Sequence, residues 1–451
     1  MTDLTMTAST LSERLASIVG DRVHTAAEPG FDAALTLYGG ASRVPALIVQ
    51  PRDASEVARI LPVVAEAGLP VTVRAGGHSL ARRSRVEGGV VLDLALLNTV
   101  DIDPITRIAT AGGGVTAGRY TEIAAGHGLA TGFGDTASVG VAGLTLGGGI
   151  GFLSRRLGLA IDQLVGAEVV TADGRILDVD QEREPDLFWA LRGGAAGVGV
   201  VTALRFRLEQ VETVTGGILI FESDPELVAA LVAFVADAPD ELSAMINVMN
   251  APPAPFVPEH LHGQPAVLLF AAHSGSPADA AAVFDAIRSL APVVADTVNV
   301  VPYSSMLSNV PMPPGMVPVP VSRSGFADAL TTERVAAGIA ALAELQTPMA
   351  LINIRPMGGA IARVAPDATA FAHRDRGAMV WVTAIYPDQD SAAAHEADVA
   401  SITAALTDGD AGYVNFFSDV PDVEARAYPE VTLARLRAVR SAVDPTGMFA
   451  R

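Results

Sequence analysis

The chain has 451 residues, with 30 basic and 50 acidic side chains and a formal net charge of −20 at pH 7. This length predicts two or three domains or one large two-lobed unit, and the charge argues against nucleic acid or an anionic membrane surface as a partner. The chain contains no cysteine, and all of its basic residues are arginine. This composition excludes disulfides, zinc thiolate sites, iron–sulfur clusters, pyridoxal Schiff bases and lysine-dependent phosphate loops.

The chain has no apolar stretch long enough to span a membrane. A span needs about 18 apolar residues, and charged residues or repeated glycines interrupt every run of that length. At the N-terminus, Asp3, Glu13 and Arg14 lie where a signal peptide requires a basic start followed by an apolar run. We therefore expect an amphipathic N-terminal helix in a cytoplasmic protein.

Residues 1–208 alternate short β-branched runs, glycine turns and helical patterns, which predicts an α/β lobe. The predicted strands lie at 45–49, 70–74, 89–94, 107–111, 169–171, 176–179 and 199–208, and the predicted helices at 55–67, 115–126 and 187–191.

Residues 209–408 have a different texture, which we interpret as a second domain. Alanine-rich helices are predicted at 277–290 and 331–345, and antiparallel strands at 217–221, 266–271, 349–354 and 378–386. Two proline-rich stretches, 251–258 and 311–320, are expected to be surface loops, or alternatively the rim of a pocket. The segment 409–451, with a helix at 430–442, is too short to bury an apolar face alone, and we expect it to pack back on the first lobe.

Three segments are candidates for chemistry. Residues 193–199 follow a helix and precede a strand, the reverse of a dinucleotide-binding turn, which indicates a connector. Ser79 follows a strand, as a hydrolase nucleophile does, but the charged residues after it have no apolar helical face, so serine hydrolysis stays a minor alternative. Residues 139–151 are rich in glycine, and consecutive amides without neighbouring Cβ atoms form a nest suited to a pyrophosphate.

Taken in order, residues 73–79, 88–94, 139–151 and 186–194 resemble the FAD-binding domain of the vanillyl-alcohol oxidase, or PCMH-type, family. The C-terminal Tyr413-Val414-Asn415 resembles the end of its berberine-bridge-enzyme-like branch, and residues 355–360 and 368–371 are similar to bacterial oxidases of the 6-hydroxy-D-nicotine oxidase type. The resemblance implies an α+β fold of two lobes. The FAD-binding domain is formed by residues 1–208 with the segment 409–451, and the substrate domain, 209–408, has an antiparallel sheet covered by helices that roofs the flavin.

The resemblance also implies that His78, after a double glycine, is joined to the 8α-methyl group of FAD. A neutral imidazole is a nucleophile near neutral pH and the oxidised flavin ring is electron-poor. Relatives with a second link use a cysteine at the position of Thr136, so a cysteine-free chain is expected to have one covalent bond. The further residues that the resemblance places at the cofactor are Arg74, Ala75, Gly76, Gly77, Ser79, Thr136, Val139, Gly140, Gly143, Leu144, Gly147, Gly148, Gly149, Ile150, Gly151, Val200, Tyr413 and Asn415.

Val139, Tyr413 and Asn415 are the expected catalytic residues. Val139 lies where the family places the residue that controls oxygen access, and valine there is typical of oxidases; simple packing is the alternative. Asn415 is expected to hydrogen-bond the ring. Tyr413, given a depressed pKa, takes a proton from a substrate hydroxyl as hydride leaves, or is a core aromatic. Arg355, where sugar-oxidising relatives carry a carboxylate, either binds an acidic group or forms a salt bridge.

Together these residues predict an FAD-dependent oxidoreductase. We expect an oxidase that transfers hydride from a small organic alcohol or amine to the flavin, with O2 as acceptor and H2O2 as product. No metal is expected, because His260 and His262 lack further placed ligands, and no oligomeric state is predicted. The lysine-free, alanine- and arginine-rich composition indicates a bacterial source, and the family resemblance alone implies a role in secondary metabolism. A flavin-dependent dehydrogenase and a non-redox flavoprotein cyclase are the alternatives.

Overall fold

Three main sheets organise the computed structural model, which describes residues 8–26, 31, 43–195, 197–309, 319–418, 420 and 422–449. The strands are β1 Val23–His24, β2 Leu47–Val49, β3 Val71–Arg74, β4 Val90–Asp93, β5 Val100–Asp103, β6 Ile108–Gly112, β7 Leu129–Ala130, β8 Leu164–Val170, β9 Ile176–Val179, β10 Val200–Arg207, β11 Glu209–Gln210, β12 Thr213–Glu222, β13 Leu242–Asn250, β14 Pro265–His273, β15 Ala295–Asp296, β16 Asn299–Pro302, β17 Val319–Ala327, β18 Met349–Pro356 and β19 Ala378–Tyr386.

Helices connect and cover these sheets. They are α1 Ala8–Val19, α2 Ala54–Glu66, α3 Ala117–Ala125, α4 Val141–Gly147, α5 Ser154–Leu157, α6 Ala160–Gln163, α7 Pro185–Leu191, α8 Pro225–Asp237, α9 Pro277–Arg288, α10 Thr332–Ala343, α11 Ala360–Arg363, α12 Gln389–Ala394, α13 Glu396–Leu406, α14 Val423–Ala427 and α15 Glu430–Val443. Among the helices of these described ranges, none combines the length and the apolar character of a membrane span.

The first lobe contains a small parallel sheet and a larger antiparallel one. The small sheet has the order β1-β2-β4-β3, with β2, β4 and β3 parallel. Helix α2 packs on it because its apolar residues recur at helical spacing, and it starts where the Asp53 carboxylate accepts the amide of Glu56 at 2.8 Å. The antiparallel sheet has the order β5-β6-β10-β8-β9. Its core includes Tyr120, Phe133 and Phe206, which pack edge to face.

The second lobe is built on one antiparallel sheet. Its order is β15-β12-β14-β13-β18-β19-β17, and β16 pairs with β12. Alternate residues of each strand point to opposite faces, so Val380 and Val382 of β19 join the apolar cluster formed with α8, α10 and α13, whereas Trp381 lies on the opposite face. The helices therefore cover one face of the sheet and leave the other turned toward the first lobe. This confirms the predicted α+β fold.

The strands that were not predicted include β5, β13 and β17. Strand β5 alternates exposed aspartates with half-buried apolar residues, β13 carries Ser243 and Asn247 among apolar residues, and β17 contains Pro320 and Gly325. Tertiary pairing outweighs these weak β propensities. Pro320 is tolerated because β17 is an edge strand. The loop predicted at 251–258 is present, and most of the loop predicted at 311–320 lies outside the described residues.

The C-terminal segment contacts the first lobe at several points. The amide of Val71 donates to the carbonyl of Met448 at 2.8 Å, so the chain end joins β3. The guanidinium of Arg435 lies 4.0 Å from the ring centre of Trp189 and 2.7 Å from the carboxylate of Asp186, both on α7. From these contacts we propose the division into residues 1–208 with 409–451, and 209–408.

Two neighbouring arginines of the first lobe fasten it to the second. Arg155 is buried, and its guanidinium donates to the carbonyls of Leu242 at 2.9 Å and Ala238 at 2.8 Å. Arg156 donates to the carbonyl of Ser274 at 2.7 Å. All three acceptors belong to the second lobe, Leu242 and Ser274 at the ends of strands and Ala238 after α8, so these contacts join the two lobes.

Candidate active site

The loop that carries His78 meets the glycine-rich segment 139–151 backbone to backbone. Strand β3 ends at Arg74 and the loop turns toward Gly140, the residue that precedes α4. A Cβ on Gly140 would lie 2.5 Å from the amide nitrogen of Gly76, and a Cβ on Gly76 would overlap Gly140. Only glycine permits this approach. Two segments that are separate in sequence therefore form one surface.

The C-terminal element lies on the other end of the same segment. The hydroxyl of Tyr413 accepts the amide of Gly149 at 2.8 Å and the side-chain amide of Asn415 at 3.0 Å. The Asn415 amide also donates to the carbonyl of Leu144 at 3.0 Å. A Cβ on Gly147 would overlap Asn415. The structure thus brings the predicted Tyr-x-Asn element onto the predicted glycine-rich segment.

His78 is half-buried in this surface, and burial lowers the pKa of its imidazole. A lowered pKa keeps the ring neutral at neutral pH, which is the nucleophilic form. Ser79 does not resemble a hydrolase nucleophile. Its hydroxyl accepts the amide of Arg83 at 3.1 Å, and turns rather than a helix follow it. The local structure therefore disfavours the hydrolase alternative.

Tyr413 differs from the expectation in its acidity. The side chain is buried, and loss of solvation raises the pKa of its phenol, although hydrogen bonds from Gly149 and Asn415 and the charge of Arg355 act in the opposite direction. The expectation of a lowered Tyr413 pKa is therefore wrong. A phenol that stays protonated at neutral pH donates a hydrogen bond but is a poor base.

Val139 and Thr136 lie in a loop between the two lobes. The amide of Val139 donates to the carbonyl of Thr136 at 3.3 Å, and the carbonyl of Val139 accepts the amide of Ala117 at 2.8 Å. Thr136 pairs with Ser308 of the second lobe in an isolated β-bridge. Thr136 therefore contacts the second lobe directly, and Val139 lies three residues further along the same loop.

The remaining predicted residues divide into a lining and a packing group. Gly143 is exposed, and a Cβ added to it would have no atom within 4 Å, so it leaves open space beside α4. Gly151 packs against the carbonyl of Phe133, and Gly149 packs against Ala160. Val200 is fully buried in the apolar cluster beneath α1 and α2. The structure thus places Gly143 beside open space, whereas Gly149, Gly151 and Val200 belong to the packed structure that supports the site.

The sheet of the second lobe contributes Arg355, for which sequence reasoning left two roles open, and Trp381, which it did not assign to the site. Arg355 is buried and forms a salt bridge with Asp135 at 2.8 Å, which is one of its two expected roles. Trp381 stacks on Phe416 with ring centres 4.5 Å apart. The sequence signal that could have identified Arg355 is the alternation of residues along β18. Polar Asn353 and Arg355 interrupt this apolar strand on the face away from the helices.

These residues fit FAD. Within the described ranges, the amides of Ala75, Gly76 and Gly77 have no hydrogen-bond partner, and backbone amides of this kind suit the oxygens of a pyrophosphate. Gly140, which contacts Gly76, and Gly143, which has open space beside it, belong to the same glycine-rich segment. No group of three metal-ligating side chains is found in the described part of the chain.

The comparisons with known proteins agree with this site. A family model described as an FAD binding domain matches residues 45–180. The chain is 29% identical to (R)-6-hydroxynicotine oxidase of Paenarthrobacter nicotinovorans, over 97% of this chain and 98% of that protein. Its structure resembles the crystal structure of 6-hydroxy-D-nicotine oxidase from Arthrobacter nicotinovorans, with a TM-score of 0.83, 25% identity and 96% of each chain covered.

Two further solved structures share the fold at lower identity. A berberine bridge enzyme variant described as a reticuline dehydrogenase matches with a TM-score of 0.85 and 20% identity, covering 98% of each chain. A glucooligosaccharide oxidase from Acremonium strictum, which carries a 6-S-cysteinyl, 8α-N1-histidyl FAD, matches with a TM-score of 0.83 and 22% identity, again over 98% of each chain. Residues 45–180 therefore match an FAD binding domain, the chain is similar to 6-hydroxy-D-nicotine oxidase in sequence and fold, and it is an FAD-dependent oxidoreductase.

Proposed function

We propose that the chain is an FAD-linked oxidase that takes hydride from a small organic alcohol or amine and returns the electrons to O2 as H2O2. The observation that carries this proposal is the convergence of the His78 loop, the glycine-rich segment and the Tyr413–Asn415 element on one surface beneath the second-lobe sheet. FAD supplies the hydride acceptor when bound. The lysine-free, alanine- and arginine-rich composition supports a bacterial source.

In this proposal the cofactor is held by one covalent bond, through His78. The amides of residues 75–77 bind the pyrophosphate, and residues 140–151 line the flavin side of the site. Asn415 donates both hydrogens of its side-chain amide to the Leu144 carbonyl and the Tyr413 hydroxyl, so it offers the ring its side-chain oxygen as an acceptor. Tyr413 holds Gly149 in place. The proposed roles use the contacts observed for each side chain and need no metal.

The first experiment is a visible absorption spectrum of the purified full-length chain, followed by acid precipitation. A yellow pellet supports covalent flavin. Substrates are then tested anaerobically for bleaching of the flavin, with 6-hydroxynicotine as an amine and a glucooligosaccharide as an alcohol, and H2O2 is measured in air. A colourless protein that takes up no added FAD would overturn the proposal. Bleaching without H2O2 formation would favour a dehydrogenase. If the protein converts a substrate but no substrate reduces its bound flavin, a cyclase is favoured.

The raised pKa of Tyr413 gives a prediction for Tyr413→Phe. A general base contributes about 10²–10⁴-fold to a rate, whereas one lost hydrogen bond costs up to roughly tenfold. Because the phenol stays protonated up to its raised pKa, we expect Tyr413→Phe to lose less than about tenfold in turnover. The dependence of kcat/KM on pH should keep its shape from about pH 6 to about pH 9. Loss of the limb in which kcat/KM rises with pH, together with a fall of about 10²-fold, would instead identify Tyr413 as the base.

Val139→Ile is expected to slow reoxidation by O2. The extra methylene enlarges a half-buried side chain in the loop between the lobes, and it narrows the approach that we assign to oxygen. Stopped-flow mixing of reduced enzyme with oxygenated buffer measures this step, and anaerobic mixing with substrate measures reduction. The control is Val431→Ile, because Val431 is 84% exposed. An unchanged reoxidation rate in Val139→Ile would remove Val139 from the oxygen path.

A further inference from the structure

One guanidinium group connects the second lobe to three separate parts of the candidate site. Arg355 is 3% exposed and lies on β18. Its Nε donates to the Asn353 amide oxygen at 2.8 Å, one terminal nitrogen donates to the carbonyl of Ile150 at 2.9 Å, and the other donates to Asp135 at 2.8 Å. The group also lies 5.0 Å from the ring centre of Phe416. Every nitrogen of the guanidinium therefore has a partner.

These partners belong to different elements. Ile150 belongs to the glycine-rich segment, Asp135 begins the loop that leads to Thr136 and Val139, and Phe416 belongs to the C-terminal element. A buried charge requires its partners, because an unpaired guanidinium is strongly destabilised away from water. The position of Arg355 on the sheet thus restricts where all three elements lie.

Two further residues of the second lobe, Ser308 and Asn309, also contact the loop of residues 135–139. The amide of Ser308 donates to the carbonyl of Asp135 at 3.1 Å, and the amide of Ala137 donates to the carbonyl of Ser308 at 3.2 Å. The side-chain oxygen of Asn309 accepts the amide of Ser138 at 2.9 Å. The loop belongs to no helix or named strand of its own. Its shape therefore depends on contacts from the substrate-binding lobe.

We propose that Arg355 and Asn309 are positioning residues that hold the loop 135–139, and with it Val139, from the substrate-binding lobe. The link of this loop to oxygen rests on the proposed oxidase function, whereas the positioning itself does not. In this arrangement Arg355 is not the binding site for an acidic group of the substrate, because Asp135 already occupies its outer nitrogen. The reactivity of the reduced cofactor toward O2 is then set by packing between the two lobes.

Hydrogen–deuterium exchange of the full chain tests the positioning without reference to activity. In Arg355→Met, we expect the amides of Ala137 and Ser138, neither of which Arg355 contacts, to exchange roughly tenfold faster. Asp135→Asn should have the same effect in weaker form. The control is Arg363→Met, since Arg363 forms an exposed salt bridge with Asp240 in the same lobe. Unchanged exchange at these amides in Arg355→Met, with the fold intact by circular dichroism, would overturn the proposal.

The flavin-loaded enzyme gives the second measurement, for which Asn309→Ala is the milder variant. We expect reoxidation by O2 to slow by about tenfold or more, because small misplacements at a reaction site have large effects on rate, while anaerobic reduction by substrate changes less. An increase in KM for an acidic substrate in Arg355→Met, with reoxidation and exchange unchanged, would show that Arg355 binds substrate. If the unmodified protein binds no FAD but Arg355→Met shows the faster exchange, the result contradicts the oxidase function and supports the positioning role of Arg355.

Discussion

Replacing His78 by alanine is expected to abolish covalent attachment of the flavin and to leave FAD binding possible. The chain has no cysteine that could form a second link, so the covalent fraction should fall from nearly complete to none. The amides of residues 75–77 and the open space at Gly143 remain in the variant, and they hold the cofactor through hydrogen bonds and packing. After acid precipitation, the yellow colour should move from the pellet to the supernatant.

The control for this variant is His127→Ala, because His127 is exposed. It should keep the colour in the pellet. Mass spectrometry of peptides identifies the attachment point directly in the unmodified protein. Flavin found on any peptide that lacks His78, or a yellow pellet from the alanine variant, would contradict the assignment. Because burial lowers the pKa of His78, attachment to added FAD should also proceed at neutral pH and slow only when the imidazole becomes protonated in acid.

The parts of the site that could be predicted from sequence are those encoded by local composition. The His78 loop and the segment 139–151 stand out because glycine is concentrated there for close backbone approach, and the structure brings Gly76 and Gly140 together. The Tyr413–Asn415 element was expected at the flavin from its resemblance alone, and its contacts with Gly149 and Leu144 connect it to that segment.

The parts that could not be predicted depend on packing between distant segments. Arg355 and Asp135 are separated by 220 residues, and no local pattern pairs an arginine on one lobe with a carboxylate on the other. The direction of the Tyr413 pKa shift is a similar case. Burial and neighbouring donors oppose each other there, and only the three-dimensional surroundings decide which is larger. Strand β13 was missed because its pairing with β14 and β18 outweighs its mixed composition.

Asp162→Asn is expected to cause a large loss of stability. Arg374 is fully buried, and its two terminal nitrogens lie 2.9 and 2.7 Å from the two oxygens of Asp162. Removing one charge of such a pair leaves the other uncompensated and costs about 3–5 kcal/mol. The same residues support the site, because Asp162 belongs to α6, whose first amide, that of Ala160, donates to the carbonyl of Gly149 at 3.0 Å. We therefore expect a smaller fraction of the protein to carry attached FAD, together with a lower denaturation midpoint.

Two controls separate this loss from the general effect of removing a charge. Asp173→Asn removes the partner of Arg175 from a pair whose side chains are 58% and 59% exposed, and such pairs contribute about 0–1 kcal/mol. The double variant Asp162→Leu with Arg374→Met replaces both charges by apolar groups, and it should be closer to the unmodified protein than Asp162→Asn is, because no unpaired charge remains. Urea denaturation of the three variants gives the comparison. A midpoint for Asp162→Asn equal to that of Asp173→Asn would mean that solvent reaches Arg374. It would contradict the inference that the Asp162–Arg374 pair supports the glycine-rich segment.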